Sequence, residues 1–257
     1  MNHPDCAFAY SQARLQARLG TRPTAADWQR IHAARDLAAL LQVSGTTALA
    51  PWTHGLTARS QVHEAEQQLR RHWLASVDEI AAWQPPGWRG AIAWMRWLPY
   101  LPALQKLARA GKSPDWMRSD PVLGAIVAED PRLRAASLKR TDFAPLAAGF
   151  TTPPDVAGAW LGHWRKLWPA AAGAAASLER LVDQLAAHRR ELAGAPEGSA
   201  SSGARARLDR RLLGAFRRNP LSPVATIAYL GMAALDLASL RGAVAIRALR
   251  AASEDAA

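Results

Sequence analysis

The chain shows one long amphipathic stripe between about Arg59 and Ile80. Its apolar positions follow one another at steps of three, four, four, four and three residues, the spacing of one face of an α-helix. The stripe consists of Val62, Ala65, Leu69, Trp73, Val77 and Ile80. The polar residues that lie off the stripe, and that we expect to face water, are Glu64, Glu66, Arg70 and Arg71. We therefore predict a helix with one buried face.

Similar periodicity predicts helices along most of the chain. A helix from Thr24 to about Gln42 follows Pro23 and starts with a capping signal, and the segment Val43–Pro51 predicts a break. Further helices are predicted at Asp155–Trp168, Leu178–Leu192, Leu208–Phe216 and Ser222–Ala252. No convincing stretch alternates with a period of two, and Ala, Leu and Arg outnumber Val and Ile. The prediction is an all-α fold of about nine to twelve helices.

The predicted organisation is a single all-helical domain over residues 1–257. Two lobes that meet near residues 119–150 are the alternative. Prolines in the Trp-rich stretch Trp83–Trp116 predict several short helices in place of one long helix. Residues 194–203 are rich in Gly, Ala and Ser, which predicts an exposed loop.

The last predicted helix raises the question of a membrane span. Ser222–Leu240 is long and apolar, but Asp236 lies inside it, and Arg241 and Arg247 follow closely. A carboxylate in the middle of a span is expensive in lipid. We therefore prefer a buried core helix that is apolar around most of its circumference.

Composition and charge narrow the class of protein. Of the 257 residues, 49% are hydrophobic and 21% are charged, which is ordinary for a globular protein and excludes a disordered or collagen-like chain. Cys6 is the single cysteine, which excludes a disulfide framework or a zinc site built on several thiolates. We expect no signal peptide and a reducing cytoplasm. The net charge of +11 suggests an acidic partner: nucleic acid, a membrane surface or an acidic protein.

The positive charge is densest between Gly203 and Asn219. This basic patch consists of Arg205, Arg207, Arg210, Arg211, Arg217 and Arg218. Asp209 is the single acidic residue in the segment. Two interpretations stay open, a solvated face of an Arg-rich protein and a binding patch for an acidic surface.

No motif in the sequence indicates catalysis. A Gly-rich phosphate loop, a Gly-x-Ser-x-Gly elbow and a paired-carboxylate motif are all missing. His63, Glu64 and His72 invite a metal hypothesis, but the two histidines are nine positions apart and do not share a coordination point. We therefore expect no catalytic residue, no metal and no cofactor.

Three tryptophans form a stripe at helical spacing, Trp160, Trp164 and Trp168. Such a stripe can stack nucleic-acid bases. Packing against a neighbouring helix is the commoner use of large aromatic side chains. We therefore favour a core role for this stripe.

The two ends of the chain carry short motifs. Near the N-terminus, Tyr10, Ala13 and Arg14 form a Tyr-x-x-Ala-Arg pattern, with Arg18 one turn further on. Near the C-terminus the chain reads Asn219-Pro220-Leu221, then Ile227-Ala-Tyr229-Leu230, then Asp236-Leu-Ala-Ser239-Leu240-Arg241. Together these motifs resemble the C/d subunits of archaeal, bacterial and vacuolar rotary ATPases, in particular a shorter bacterial branch. Asp236 and Ser239 stand where that family usually has Glu and Asn.

The resemblance implies a fold, a location and partners. Members of the family form a funnel of three related helical lobes, which caps the cytoplasmic side of the membrane rotor ring and receives the foot of the central shaft. It implies a non-catalytic coupling subunit of an ion-transporting ATPase, peripheral to the inner face of the cell membrane. Its partners would be the central stalk and the membrane ring. The structural or interface candidates are Tyr10, Arg14, Arg18, Tyr229, Asp236 and Arg241.

The resemblance also predicts how the two ends meet. Family members bring the first and last helices together, which makes Arg14 a candidate partner for Asp236. Asp236 and Arg241 are five positions apart, somewhat far for a pair within one helix. We expect each to tie its helix to a neighbour, because an unpaired buried charge is costly.

A basic helical nucleic-acid-binding protein is the alternative function. It rests on the net charge of +11 and on the basic patch. No helix-turn-helix signature is recognisable, so nucleic acid is the less favoured partner.

Overall fold

The computed structural model of the protein describes residues 7–109, 113, 115–128, 130–150, 153–169, 173–193 and 200–254. These residues form thirteen α-helices and no strand, which confirms the predicted all-α class. The α-helices are α1 (Ala9–Gly20), α2 (Ala25–Ala33), α3 (Leu37–Ser44), α4 (Ala50–Thr53), α5 (Val62–Ala82), α6 (Pro86–Ala93), α7 (Leu101–Arg109), α8 (Asp115–Ser119), α9 (Pro131–Leu138), α10 (Val156–Lys166), α11 (Ala175–Ala193), α12 (Ala200–Arg218) and α13 (Pro223–Glu254). Short 3-10 helices lie at Trp94–Tyr100, Gly124–Ile126 and Ala144–Phe150.

The chain divides into two compact units. Unit 1 contains residues 1–92 and 170–257, and unit 2 contains residues 93–169. The boundaries thus lie after Ile92 and after Pro169, whereas the sequence suggested two lobes meeting near 119–150. Of the predicted exposed loop, residues 194–199 lie outside the described residues, and residues 200–203 belong to helix α12.

Helix α13 is the core helix of unit 1. It contacts α1, α3, α5, α11 and α12. Ile227, Leu230 and Leu240 on α13 are almost completely buried, because the helix is apolar around much of its circumference. Among the described residues it is the one helix long and apolar enough to cross a membrane, and 67% of its most apolar window is buried inside the protein. The buried core helix of a soluble protein can be equally long and apolar, so these two properties alone do not indicate a membrane span.

Helix α5 carries the predicted stripe, and its polar face differs from the prediction. Leu69, Trp73 and Val77 are buried, as the stripe requires. Arg70 is only 4% exposed, so the expectation that it faces water is wrong. Its Nε donates to Glu66 Oε1 at 2.9 Å, one turn away. The periodicity did not show this burial, because it arises where α5 packs against α13, whose Arg241 binds the same Glu66 carboxylate.

The predicted helix from Thr24 to Gln42 is two helices, α2 and α3. The start is as predicted, because Thr24 and Asp27 form a reciprocal capping box. The break follows from two contacts. Asp36 caps α3 by accepting from the backbone N–H of Ala39 at 2.8 Å, and Arg247 Nε donates to the carbonyl of Ala34 at 2.8 Å. These contacts satisfy backbone groups that a continuous helix would use internally.

Unit 2 is organised by aromatic rings. The indole of Trp94 donates from Nε1 to the carbonyl of Trp160 at 3.2 Å. Trp160 and Trp164 stack with ring centroids 5.6 Å apart, and both are buried. The core interpretation of this tryptophan stripe therefore agrees with the structure.

Candidate functional site

The first and last long helices lie together in unit 1. The side chain of Gln12 on α1 accepts a hydrogen bond from the backbone N–H of Leu221 at 3.2 Å. Leu221 has a φ of 55°, a left-handed conformation that is uncommon for a side chain of its size. The motif segment before α13 is thus held in a strained turn against α1.

Asp236 pairs with Arg22 and not with Arg14, so the predicted partner is wrong. Arg22 lies in the connection between α1 and α2, two residues after α1 ends. Its Nε and Nη2 donate to the two carboxylate oxygens of Asp236 at 2.8 and 3.0 Å. Nη2 also lies 3.0 Å from Oδ1 of Asp209 on α12. One guanidinium therefore joins α12 and α13 to the end of α1.

This cluster of one cation and two carboxylates is negative overall, which favours the protonated form of its members. Burial raises the pKa of Asp236, and the charge of Asp209 raises it further, while the hydrogen bond from Arg22 acts in the opposite sense. Burial acts to lower the pKa of Arg22, but Asp236 and Asp209 outweigh it, so that pKa is raised. Arg22 therefore keeps its charge, and Asp236 ionises less readily than a solvated aspartate.

Arg14 and Arg18 flank an aromatic ring at the surface. The guanidinium carbons lie 4.9 and 4.6 Å from the ring centroid of Trp83, which follows α5. Arg18 also contacts Glu79 at 2.6 Å, and Arg14 lies 5.0 Å from the ring of Tyr10. The α1 cluster is defined as Tyr10, Arg14, Arg18, Glu79 and Trp83. Tyr10 is 58% exposed, so the outer part of the cluster is open to a partner.

Arg241 ties α13 to α5. Its Nε donates to Oε2 of Glu66 at 2.7 Å, and Arg70 shares the same carboxylate. As expected from the spacing, Arg241 and Asp236 do not pair with each other, and each binds a different element of unit 1. Arg241 therefore joins two helices of unit 1 and is not part of the α1 cluster.

A cleft of about 560 Å³ opens beside the α1 cluster. Trp52 and Tyr229 contribute aromatic walls, and Arg18, Glu79 and Asp236 contribute charges. Burial raises the pKa of the Tyr229 hydroxyl, although Arg18 and Arg22 act in the opposite sense, so the phenol stays protonated at neutral pH. A cleft of this size can stack and hydrogen-bond a ligand or a short peptide segment.

The basic patch lies on α12 and is exposed. All six of its arginines are exposed to solvent. Arg207 pairs with Glu191 of α11. Asp209, the single acidic residue of the segment, is directed to Arg22 and so does not neutralise the patch. The structure thus leaves the charge of this face open to solvent or to an acidic partner.

The structure brings some of the predicted site residues together, and it shows further residues at the same site that were not predicted from the sequence. Arg18, Tyr229 and Asp236 line one cleft, with Tyr10 and Arg14 beside it. Arg22 and Glu79 were missed, because no periodic or motif pattern contains them, and Trp83 was marked only as part of the Trp-rich stretch. One available signal was Asp236 itself, since a carboxylate on an apolar helix requires a cation nearby.

The described residues contain no group of three or more His, Cys, Asp or Glu side chains placed to hold a metal ion. Cys6 lies outside the described residues. Searches of protein-family models, curated proteins and solved structures found no match to this chain. The assignment of function therefore depends on the residues and their geometry.

Proposed function

We propose that this chain is a non-catalytic coupling subunit similar to the rotary ATPase C/d subunit, which links a soluble assembly to a membrane rotor. The observation that carries the proposal is the meeting of the two end motifs. Tyr10, Arg14 and Arg18 on α1 lie beside a cleft that Tyr229 and Asp236 of α13 also line. Residues from opposite ends of the sequence thus contribute to one continuous face of unit 1.

The chemistry of this face suits protein binding. Trp, Tyr and Arg are the residue types that most often dominate the energy of protein interfaces. The α1 cluster offers all three, with Tyr10 well exposed and Trp83 half-buried. The charges around the cleft are already paired, Arg22 with Asp236 and Arg18 with Glu79. Such pairs orient a docking surface without requiring a proton to move.

The proposed location is the cytoplasmic face of the membrane, with the chain peripheral to it. Two observations support a peripheral position. Helix α13, which has the length and composition of a span, is occupied with packing in unit 1. The net charge of +11 favours contact with the anionic inner leaflet.

Affinity purification from the native cell in mild detergent tests the proposal. We expect the tagged wild-type chain to recover subunits of a rotary ATPase. The double variant Tyr10→Ala/Arg14→Glu should lose them, because it removes the exposed part of the α1 cluster. Arg59→Glu is the control, since Arg59 is exposed and lies outside the cluster and the cleft. Recovery of no ATPase or membrane subunit with the wild-type chain would remove the proposal.

The exposure of all six arginines on α12 favours nucleic-acid binding as a second candidate function. For duplex DNA, the logarithm of the binding constant should then fall by about 0.9 per phosphate contact for each tenfold rise in salt. An Arg210→Gln/Arg217→Gln variant should reduce that slope by about two. Absence of DNA binding at low salt would end this alternative.

A further inference from the structure

A second depression in unit 1 lies away from the cleft and differs from it in charge. It has a volume of about 680 Å³ and is lined by parts of α2, α12 and α13. The basic groove is defined by His32, Arg35, Arg205, Ile246, Arg247 and Arg250. No Asp or Glu is among the described residues that line it. From the geometry we infer that this groove binds a phosphate-bearing anion with several negative charges.

Arg247 is the buried centre of the groove. The residue is only 7% exposed, and its guanidinium donates to the backbone carbonyls of Ile31, His32, Ala34 and Ala243. None of the described carboxylates lies within ion-pair distance of it. Burial lowers the pKa of Arg247, and the nearby Arg250 lowers it further. The charge of Asp36 acts on this pKa in the opposite sense, but Asp36 is paired with Arg35, so the buried charge of Arg247 is met mainly by backbone carbonyl dipoles.

A structural role explains Arg247 alone. By binding the carbonyls at the end of α2, it satisfies backbone groups that the helix end leaves open. That role does not explain why exposed Arg35, Arg205 and Arg250 approach the same depression from three different elements. Asp36 is the acidic side chain nearest in sequence, and it already pairs with Arg35 at 3.0 Å while capping α3.

The residue types and the shape favour phosphate. Four of the six defining residues are arginines, whose planar guanidinium matches two phosphate oxygens at once. The volume lies in the range of small-molecule sites and suits a group with two or three phosphates better than a flat protein surface. Ile246 is 52% exposed at the groove and Leu249, 58% exposed, follows three positions later, so an apolar portion of a ligand would find contacts there.

The same chemistry fits a soluble polyphosphate compound and a phosphate headgroup at a membrane surface. Calorimetric titration with inorganic tripolyphosphate at constant ionic strength tests for a soluble polyphosphate ligand. Binding to a membrane headgroup is tested with phosphatidylcholine vesicles that contain a minority of phosphatidylglycerol. Pure phosphatidylcholine vesicles are the comparison. We expect the wild-type chain to bind at least one of the two anionic probes. Binding of tripolyphosphate assigns the soluble source, and binding of anionic vesicles alone assigns the headgroup.

The variants decide whether the groove is responsible. Arg205→Gln/Arg250→Gln should weaken binding about tenfold or more, because it removes two cations from the groove and leaves Arg247 in place. The matched control is Arg59→Gln/Arg71→Gln, which removes the same charge from exposed positions outside both the groove and the basic patch. This control should change binding by less than about twofold.

Three results would overturn the inference. The first is a wild-type chain that binds neither tripolyphosphate nor anionic vesicles. The second is an equal loss in the groove variant and in the control, which would show attraction to basic charge in general. The third is a poly-glutamate peptide of equal charge that binds as tightly as tripolyphosphate and depends equally on Arg205 and Arg250. The inference stands apart from the proposed coupling function, because none of its probes contains an ATPase subunit.

Discussion

Two arginines of unit 1 show opposite ways to hold a cation against α13. Arg22 at the cleft faces two carboxylates, Asp236 and Asp209, at 2.8 and 3.0 Å. Arg247 at the basic groove is more deeply buried, yet it binds backbone carbonyls and has more arginines around it. The cation at the cleft is therefore fully compensated by carboxylates, whereas the groove keeps an excess of positive charge. The difference teaches that binding at the groove would depend on charge, whereas binding at the cleft would depend on its shape and on the aromatic groups in and beside it.

Removing the cation of the cleft should have the largest effect on stability. Arg22→Gln leaves Asp236 and Asp209 close together without a counter-charge, and we expect the free energy of unfolding at pH 7 to fall by about 3 kcal/mol. Urea denaturation measures this value. Arg14→Gln is the control, because Arg14 is exposed and its loss should cost less than about 1 kcal/mol. Equal stability of Arg22→Gln and wild type would mean that Arg22 is not the counter-charge that Asp236 and Asp209 need.

Removing the cation of the groove should have an intermediate effect. Arg247→Met keeps much of the side-chain volume, removes the hydrogen bonds to the end of α2 and leaves those carbonyls without a donor. We expect a loss of about 2 kcal/mol in urea denaturation at pH 7. No carboxylate is left unpaired, so the loss should stay nearly constant between neutral and mildly acidic pH. A loss that disappears on acidification would mean that Arg247 has an acidic partner after all.

Removing the buried carboxylate should have the smallest effect. In Asp236→Asn the side chain still accepts a hydrogen bond from Arg22, Asp209 still pairs with it, and the cost of burying an ionised group is removed. We expect the free energy of unfolding at pH 7 to change by less than about 1 kcal/mol. A loss as large as that of Arg22→Gln would show that the two charges matter equally.

The pH dependence of that variant has a defined sign. Because the pKa of Asp236 is raised in the folded protein, the stability that this group contributes is complete below its ordinary pKa of 3.8. It is lost as the pH rises through the raised pKa of the folded state. Asp236→Asn lacks this titration, so its stability relative to wild type should increase as the pH is raised from about 4. A relative decrease over the same range would mean that the pKa of Asp236 is lowered.

Features that depend on neighbouring positions in the sequence were predictable. The stripe on α5 and the capping box at Thr24 involve residues within a few turns, where helical spacing determines which side chains meet. The burial of α13 was also predictable, because one carboxylate in an otherwise apolar segment indicates a core helix more than a membrane span.

Features that depend on distant contacts were not predictable. Arg22 and Asp236 are 214 positions apart, and nothing near Arg22 distinguishes it from the other arginines of a basic chain. The break between α2 and α3 depends on Arg247, which is 213 positions from Ala34. Glu66 likewise binds Arg241 of α13, which is 175 positions away, in addition to its helical neighbour Arg70. Helical periodicity carries no information about such pairs.

Site-specific photo-crosslinking in the native cell tests the proposed docking face most directly. A crosslinking amino acid at Tyr10, which is 58% exposed, would report what contacts the α1 cluster. We expect a covalent adduct with a subunit of a rotary ATPase at this position, and none at exposed Gln42 on α3. An adduct at Gln42 with none at Tyr10, or adducts only with proteins outside such a complex, would contradict this expectation.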